Sequence, residues 1–299
     1  MRYSHVRNSP TVNDVIALVT GATQGLGLAL AAGLAQRLGP TDTVYLTGRD
    51  PDKVKTAVQA IPNSGAEVRG ELFDVADPQA AQRLAQRIKE RHGGIDIVFG
   101  NAVMRIGPDD NPREIIDTYT QVNNFGTTRL LRAFAPLIND NGRLLIVASS
   151  LGTLHHLAPV LHQRFTEASS LDEIDQQIAE WRDTTKAGRV SAWPAFINIP
   201  SKIGQVAAVR VLAEERRGDL DRGILIAAVC PGMINTPTSA LWWDVSTAPT
   251  PAQAAAKLLD LAQAPVKPEH FGELVRDGNP IPFRSADPTR ARPGRATSG

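Results

Sequence analysis

The chain has 299 residues, of which 42% are hydrophobic, and its formal net charge at pH 7 is +1. This balance excludes the broad basic surface that is typical of proteins that bind nucleic acids or anionic membranes. The single cysteine, Cys230, excludes an internal disulfide framework and favours a reducing compartment. No apolar run in the sequence reaches the length of a membrane span, and the polar residues 1–13 do not form a secretory signal. The totals therefore predict a cytoplasmic protein with a large buried core, without nucleic-acid or membrane partners.

The first regular pattern is an apolar run at residues 15–19 that leads into the turn Thr20-Gly21-x-x-x-Gly25-x-Gly27 and then into a helical pattern. This order predicts a buried strand, a tight turn and the start of a helix. Glycines let the backbone approach a pyrophosphate, and a helix N-terminus offers unpaired N–H groups and the positive end of a dipole. The turn is therefore predicted to bind a dinucleotide, with an ordinary glycine loop as the alternative.

Apolar runs alternate with helical patterns along the rest of the chain. Six further strands are predicted, at residues 43–47, 67–75, 95–100, 143–149, 223–229 and 271–275. Asp50 and Pro51 are predicted to open the helix after the second strand as its cap and first residue. The alternation predicts an α/β fold of the Rossmann class, a doubly wound parallel sheet of about seven strands. One domain is predicted over residues 1–283, and residues 284–299, rich in Pro, Gly, Arg and Ser, are predicted to be a disordered tail.

A helical insertion at about residues 152–195 interrupts this rhythm between a strand and the next helix. Helical patterns occur at residues 159–168 and 171–185, and Ser170 with Glu173 has the spacing of a capping box for the second one. An insertion of this length in a strand-to-helix connection is usually functional or forms an interface.

The motifs resemble, in their order and spacing, those of the short-chain dehydrogenases/reductases. The residues that carry the resemblance are Thr20, Gly21, Gly25, Gly27, Asp74, Asn101, Ala102, Asn123, Ser149, Ser150, Lys202, Pro231 and Gly232. The insertion, with Trp193 near its end, is similar to that of the carbonyl reductase subgroup. In that subgroup the extra segment covers the helix face that other members use to dimerise, so the resemblance implies a monomer.

The residue after the second strand favours NADPH as the cofactor. An acidic residue near this place binds the ribose 2′-hydroxyl in NAD-dependent folds, but here Gly48 is followed by Arg49, whose guanidinium suits a 2′-phosphate. Gln24 stands where NADP-dependent members of the family carry a basic residue, and Val103 stands where members have glycine. The resemblance, together with Arg49, implies these cofactor-binding residues: Gly21, Thr23, Gln24, Gly25, Leu26, Gly27, Arg49, Asp74, Val75, Asn101, Val103, Lys202, Pro231, Gly232, Ile234 and Thr236.

The resemblance also implies the catalytic residues, with one departure. Ser150 corresponds to the serine that polarises the carbonyl, Asn123 to the asparagine that anchors a water relay, and Lys202 to the lysine that holds the ribose and lowers the pKa of a tyrosine four residues earlier. Asn198 stands in the place of that tyrosine. It is interpreted as a helix N-cap, with Pro200 in the first turn, or as a hydrogen-bond donor to a developing oxyanion. An amide is not a general acid near neutral pH.

None of the three tyrosines is expected to replace the missing acid. Tyr3 lies in the polar N-terminus and Tyr45 lies within a strand. Tyr119 begins a helix predicted over residues 119–138, one turn before Asn123, and its side chain is expected to point away from the cofactor.

Three functional hypotheses follow. The first is an NADPH-dependent ketoreductase whose proton comes from water or from the substrate, for example from a phenol beside the ketone. Aromatic polyketides such as angucyclinones carry such groups, and the chain resembles atypical angucyclinone ketoreductases in lacking the tyrosine. The second hypothesis is a catalytically inactive NADPH-binding sensor or scaffold. The third is another reaction on the same fold, such as a dehydration or a cyclisation.

A bulky, flat aromatic ketone is predicted as the small-molecule partner. Trp242 and Trp243 lie in the short segment 233–249, where many members of the family form a substrate lid. Their indole faces suit stacking on a polycyclic substrate; the alternative is that they only pack the segment down. His155 and His156 follow Ser150 closely and are candidates to relay a proton or bind a phenol, against a surface or structural role. No spacing typical of metal ligands occurs, so no metal is predicted.

Overall fold

The computed structural model describes residues 14–62 and 65–284. The strands in these ranges are β1 (Ile16–Val19), β2 (Thr43–Gly48), β3 (Glu67–Leu72), β4 (Ile95–Gly100), β5 (Ile138–Val147), β6 (Leu225–Val229), β7 (Leu274–Arg276) and β8 (Asn279–Ile281). The α-helices are α1 (Gly25–Arg37), α2 (Pro51–Ala60), α3 (Ala80–His92), α4 (Pro112–Thr120), α5 (Gly126–Phe134), α6 (Gln163–Thr166), α7 (Leu171–Lys186), α8 (Asn198–Glu215) and α9 (Pro251–Gln263). The predicted tail, except Arg284, lies outside the described residues, as does Tyr3. No helix in the described ranges is long and apolar enough to cross a membrane.

The strands form one sheet in the order β3-β2-β1-β4-β5-β6-β7-β8. The first seven strands are parallel, as in the pairing of Ile16 with Thr43, which confirms the predicted doubly wound fold. The eighth strand was not predicted, and it pairs antiparallel with β7. The turn between them is Asp277-Gly278, and both residues have positive φ, at 49° and 73°. An Asp-Gly pair is a known hairpin signal, because glycine and aspartate tolerate this backbone conformation.

Helices cover both faces of the sheet, so consecutive strand residues are buried on opposite sides. In β1, Ile16 and Leu18 pack in the cluster that includes Leu84 of α3, whereas Ala17 and Val19 pack in the cluster on the other face. This two-sided burial explains why the parallel strands are continuous apolar runs rather than alternating ones.

The helix predicted over residues 119–138 is wrong as a single element. Helix α4 ends at Thr120, a π-helical turn spans Gln121–Phe125, and α5 ends at Phe134 before β5 begins. The π-helical turn adds a residue to the helical repeat, a feature that is often found at functional sites. It contains Asn123, so the irregularity lies directly at the catalytic residues implied by the resemblance.

Local capping predictions are confirmed, one of them in part. Asp50 caps α2 by accepting from the backbone N–H groups of Asp52 and Lys53, at 3.0 and 3.1 Å. Ser170 caps α7 by accepting from the Glu173 backbone at 3.2 Å, but the Glu173 carboxylate accepts from Ser169 rather than from Ser170. The Ser170 half of the predicted capping box is therefore present, but the hydrogen bond to the Glu173 carboxylate comes from the preceding residue.

The insertion forms a layer over the helices that lead to the site. The helix predicted at residues 159–168 is reduced to a 3-10 turn and the short α6, whereas α7 forms nearly as predicted. Helix α7 packs on α4 and α8, and its Trp181 is completely buried. Trp193 packs against Trp181 and Phe165, with ring centroids 6.3 and 6.1 Å apart. All three residues belong to the insertion, so this aromatic cluster holds its segments together.

Candidate active site

A groove of about 560 Å³ opens at the carboxyl ends of β1, β2 and β4. The strand order reverses between β1 and β4. Ligands of open α/β sheets bind at such a switch point, outside the carboxyl ends of the strands. We call this space the cofactor groove. Its lining includes Gly21, Gln24, Leu26, Arg49 and Asp74.

The three glycines of the turn at the floor of the groove could not carry side chains without strain. Gly21 and Gly25 have φ values of +62° and +57°, which favour glycine. A Cβ atom on Gly27 would lie 2.4 Å from the carbonyl oxygen of Gly21. Gln24, the N-cap residue of α1, makes no capping hydrogen bond with its side chain in the described structure. The first N–H groups of α1 are therefore open to a ligand, which is the arrangement that holds a pyrophosphate.

Asn101 fixes this turn against the end of β4. Its amide nitrogen donates to the carbonyl oxygens of Thr20 and Gly21, at 3.0 and 3.1 Å. The backbone N–H groups of Asn101 and Ala102 both donate to the Thr20 hydroxyl. The turn is thus pre-formed by hydrogen bonds that do not depend on a cofactor.

The other end of the groove is basic. Arg49 is exposed there, and Lys53, one turn into α2, lines the same space. Lys53 was not identified from the sequence. Its spacing of four residues from Arg49 is the pattern that could have indicated it. Asp50 also lines the groove, but its carboxylate is engaged by the N–H groups of α2. The residues present therefore fit a dinucleotide that carries a 2′-phosphate.

A second space of about 520 Å³ adjoins the cofactor groove, and we call it the catalytic cavity. The four residues proposed for catalysis, Ser150, Asn123, Asn198 and Lys202, all line it. They come from separate elements: the turn after β5, the π-helical turn, and the first two turns of α8. Most of the implied cofactor residues line one of the two spaces; these are Gly21, Thr23, Gln24, Leu26, Gly27, Arg49, Asp74, Val75, Asn101, Val103, Lys202, Gly232, Ile234 and Thr236.

The prediction that Tyr119 points away from the site is wrong. Its side chain lines the catalytic cavity, is 1% exposed, and donates its hydroxyl hydrogen to Oδ1 of Asn198 at 3.1 Å. Residues four apart on a helix lie on one face, so Tyr119 shares the face of Asn123. Burial raises the pKa of Tyr119 to about 12.

The interpretation of Asn198 as a helix N-cap is also wrong. Asn198 is the first residue of α8, and Ile197 occupies the N-cap position. The Asn198 amide oxygen accepts from the Tyr119 hydroxyl rather than from a backbone N–H of the helix. Asparagine therefore serves a side-chain contact across the cavity, not a local cap.

Lys202 is held by a buried network that the sequence did not reveal. Its Nζ donates to Oε1 of Gln205 at 2.7 Å and to the carbonyl oxygen of Val147 at 3.3 Å. The Gln205 amide nitrogen in turn donates to the carbonyl oxygen of Asn123 at 2.8 Å and to the Thr127 hydroxyl at 3.1 Å. Burial lowers the pKa of Lys202 to about 8. Both ends of the Gln205 amide are thus engaged, which fixes its orientation.

Both ends of the Asn123 side-chain amide bond to the neighbouring loop. Its Oδ1 accepts from the backbone N–H of Met104 at 2.7 Å, and its Nδ2 donates to the Met104 carbonyl at 3.0 Å. Only the backbone carbonyl of Asn123 takes part in the Lys202 network.

Aromatic side chains form one wall of the catalytic cavity. Phe196, Trp242 and Trp243 line it, with ring centroids 5.4 Å apart for Phe196 and Trp242 and 6.3 Å apart for the two tryptophans. The Trp242 indole also donates to the carbonyl oxygen of Ile106 at 3.0 Å. Trp242 therefore both packs its segment down and faces the cavity, whereas Trp243 is 44% exposed at its edge.

The structure does not bring the histidine pair to this cavity. His155 is exposed, His156 is half-buried, and their rings contact each other at a centroid distance of 5.4 Å. Neither is among the residues that line the cavity. No group of three or more His, Cys, Asp or Glu in residues 14–62 and 65–284 could hold a metal ion.

Arg105 lies where the two spaces meet, and sequence reasoning did not identify it. It lines both the cofactor groove and the catalytic cavity. Its guanidinium donates to the hydroxyl of Thr238, and its Nη2 lies 3.5 Å from the position that a Cβ on Gly25 would take. It therefore crosses from the loop after β4 to the segment after β6, over the first residue of α1.

Comparisons with known proteins agree with this geometry. The family model described as short chain dehydrogenase matches residues 15–159. Carbonyl reductase [NADPH] 1 of Mus musculus is 31% identical over 280 residues, which are 90% of this chain and 98% of the mouse protein. The Homo sapiens protein of the same name is 33% identical over 232 residues, 74% of this chain and 82% of the human one.

Solved structures show the same fold at lower sequence identity. Menthone neomenthol reductase from Mentha piperita superposes with a TM-score of 0.70 at 21% identity, covering 89% of this chain and 99% of its own. A short chain dehydrogenase from Burkholderia cenocepacia, solved in complex with NADP, superposes with a TM-score of 0.61 at 22% identity, covering 87% and 94%.

Proposed function

Since the chain belongs to the short-chain dehydrogenase family, we propose that it is an NADPH-dependent ketoreductase for a bulky aromatic ketone. It is an NADPH-dependent oxidoreductase that acts on carbonyl or hydroxyl groups, as the related carbonyl reductases indicate. The substrate class that we assign is an angucyclinone-like aromatic polyketide in antibiotic biosynthesis, reduced without the tyrosine acid of the family.

The observation that carries the proposal is the composition of the catalytic cavity. One wall is aromatic, formed by Phe196, Trp242 and Trp243, and the lining also includes the polar side chains of Ser150 and Asn198. Broad aromatic faces suit stacking on a flat polycyclic molecule, and a few placed polar groups fix its orientation. A ketone of such a molecule would lie between the two polar side chains.

Asn198 serves in this proposal as a hydrogen-bond donor rather than as an acid. Its Oδ1 accepts from Tyr119, so its two N–H donors are turned away from the tyrosine. Together with the Ser150 hydroxyl they would stabilise the negative charge that develops on the ketone oxygen. NADPH, when bound, supplies the hydride, and Lys202 would hold its nicotinamide ribose.

Neither Tyr119 nor Gln205 is suited to pass a proton to the ketone. Burial raises the pKa of Tyr119 to about 12, and its hydroxyl is engaged by Asn198. Gln205 fills the space between Lys202 and the Asn123 carbonyl with an amide, which neither gains nor releases a proton near neutral pH. Two features thus separate the site from a proton supplied through the protein.

The substrate is therefore proposed to supply its own proton. A phenol beside the ketone polarises the carbonyl through an internal hydrogen bond. When the carbonyl carbon receives the hydride, its π electron pair moves to the oxygen, which takes the phenol proton and leaves a phenolate. The phenolate regains a proton from solvent after release. In this respect the chain resembles the atypical angucyclinone ketoreductase of simocyclinone biosynthesis.

The test compares an aromatic ketone that has a neighbouring free phenol with its O-methyl ether, by following NADPH oxidation. General acid catalysis is typically worth about 10²- to 10⁴-fold, so methylation is expected to slow reduction by about that factor. The matched control is methylation of a phenol remote from the ketone, which changes the size but not the proton supply. Equal rates for the free phenol and its ether would overturn the substrate-assisted step. Tight NADPH binding without turnover of any aromatic ketone would instead favour the sensor hypothesis.

We also propose that the protein is a cytoplasmic monomer. Helix α7 of the insertion packs on α4 and α8, and it buries Trp181 against them. In the subgroup that the chain resembles, the corresponding segment covers the helix face that other family members use for dimerisation. Size-exclusion chromatography with light scattering should give the mass of one chain, and a dimer mass would contradict the assignment.

A further inference from the structure

Arg105 has a position that the ketoreductase assignment does not use. The cofactor groove and the catalytic cavity share five lining residues, and only one of them carries a charge. The shared residues are Leu26, Asn101, Val103, Met104 and Arg105. A bound dinucleotide would have its adenosine in one space and its nicotinamide in the other. The group that joins its two halves would then lie next to Arg105. That group is a pyrophosphate.

The lining of the two spaces leaves this guanidinium without a carboxylate partner. The residues that line the catalytic cavity include no Asp or Glu. The two carboxylates of the cofactor groove are engaged elsewhere: Asp50 by the N–H groups of α2, and Asp74 by the backbone N–H of Ala76 at 3.0 Å. The Arg105 guanidinium donates instead to a neutral hydroxyl, that of Thr238. Its charge is therefore available to an anion.

The N-terminus of α1 lies next to the Arg105 guanidinium. Nη2 of Arg105 lies 3.5 Å from where a Cβ on Gly25, the first residue of α1, would stand. A pyrophosphate seated on the open N–H groups of α1 would therefore lie within reach of this guanidinium. Arginine binds phosphate oxygens through a planar fork of N–H donors, and such charge-assisted bonds are among the stronger ones in proteins.

We propose that Arg105 is a cofactor-binding residue that binds the pyrophosphate beside the glycine turn. Thr238 holds the guanidinium in place before the cofactor arrives, and so ties the segment 233–249 to the occupied groove. The inference rests on the proposed use of NADPH, but it assigns a different residue and a different part of the cofactor from the Arg49 site. Pyrophosphate is common to NADPH and NADH, so Arg105 serves both equally, whereas Arg49 serves the 2′-phosphate alone.

The experiment measures dissociation constants of NADPH and NADH for the full chain by nicotinamide fluorescence, without any ketone. Arg105→Gln is expected to weaken both dinucleotides by the same factor, about 10- to 100-fold, as for the loss of a charge-assisted bond. Arg49→Gln is the matched comparison and should weaken NADPH much more than NADH. Adenosine 2′-monophosphate, which lacks the pyrophosphate, should bind the Arg105→Gln protein as well as the wild type and the Arg49→Gln protein more weakly.

Thr238→Val separates binding from a structural role. This variant keeps the guanidinium but removes a hydrogen bond that does not itself contact the cofactor, so cofactor affinity should stay within about threefold of the wild type. An equal loss in Thr238→Val and Arg105→Gln would overturn the inference, because the arginine would then act only by holding the segment. NADPH binding by Arg105→Gln at wild-type strength would overturn it as well. If the wild type bound neither dinucleotide, the proposed function would fail, and this inference with it.

Discussion

The cofactor groove and the catalytic cavity adjoin each other but are built in different ways. The groove is made of backbone: glycines at positive φ, open N–H groups of α1, and Asn101 bonded to two carbonyl oxygens. The cavity is made of buried polar side chains that hold one another, as Gln205 holds Lys202 and Tyr119 holds Asn198.

This difference determines which changes each region tolerates. A backbone site has no spare volume, so an added atom displaces the main chain itself. In a site of mutually hydrogen-bonded side chains, removing one group leaves its buried partner without a hydrogen bond, and this costs free energy. The groove should therefore be sensitive to added volume and the cavity to lost partners and altered charge.

The largest expected effect concerns the charge buried in the cavity. Burial lowers the pKa of Lys202 to about 8, below its value in the unfolded chain. Below pH 8 the lysine is charged in both states, and its burial costs stability. Between pH 8 and about 10.5 the unfolded chain binds more protons, so the free energy of unfolding rises with pH, by about 3 kcal/mol in total.

Urea denaturation of the wild type and Lys202→Met from pH 7 to 10.5 measures this effect. The variant should lack the rise, so it should be more stable than the wild type at pH 7 and lose that advantage by pH 10.5. Cys230, whose thiol interacts with Lys202, is replaced by Ser in both proteins so that its own titration does not contribute. A constant difference across this range would show that the ammonium is not penalised by burial.

The second prediction adds volume to the groove. A Cβ on Gly27 would lie 2.4 Å from the Gly21 carbonyl oxygen and 2.5 Å from the Asn101 amide nitrogen. Overpacking of this kind costs about 1–3 kcal/mol, and it is relieved by displacing the N–H groups that would bind the pyrophosphate. Gly27→Ala is therefore expected to weaken NADPH binding by about 5- to 150-fold. Gly218→Ala is the control, since nothing lies within 4 Å of its added Cβ. Fluorescence titration that found both variants unchanged would mean that the turn moves easily.

The same contrast explains how much the sequence could predict. The glycine turn, the Asp50 cap and the parallel strands follow from spacing along the chain, and the structure confirms them. The orientation of Tyr119 depends on a π-helical turn and on the hydrogen bond to Asn198 of α8, neither of which is written in local sequence.

Other parts of the site depend on residues distant in the chain. Gln205 gains its role only because the carbonyl of Asn123 lies 2.8 Å from its amide, and the two are 82 residues apart. Arg105 and Thr238 are 133 residues apart. The role of a polar side chain in a helix cannot be predicted from local sequence when its hydrogen-bond partner is distant in the chain.

The third prediction tests the selectivity of the groove. Replacing Arg49 by Asp puts a carboxylate where a 2′-phosphate would bind and leaves Lys53 as the cation lining that end with it. The preference for NADPH over NADH should reverse, with NADPH weakened by about 10- to 100-fold, because a charge-assisted contact is replaced by repulsion. Steady-state kinetics with each cofactor measures the change. Lys89→Asp, at an exposed position of α3 outside the groove lining, is a charge-matched control. An unchanged preference in Arg49→Asp would contradict the assignment of Arg49 to the 2′-phosphate.

The smallest effect is expected when one hydrogen bond of the cavity is removed and the Asn198 side chain is kept. Tyr119→Phe deletes the hydroxyl that holds Oδ1 of Asn198. If that hydroxyl only orients the amide, kcat should fall by about 2- to 10-fold, which is the value of one neutral hydrogen bond. Asn198→Ala, which removes the amide itself, should then lose at least as much. If Tyr119 were the proton donor, its loss would cost about 10²- to 10⁴-fold and would exceed that of Asn198→Ala. The order of the two variants, measured on a ketone with a neighbouring phenol, therefore shows whether this chain has moved its acid to another helix or has left proton transfer to the substrate.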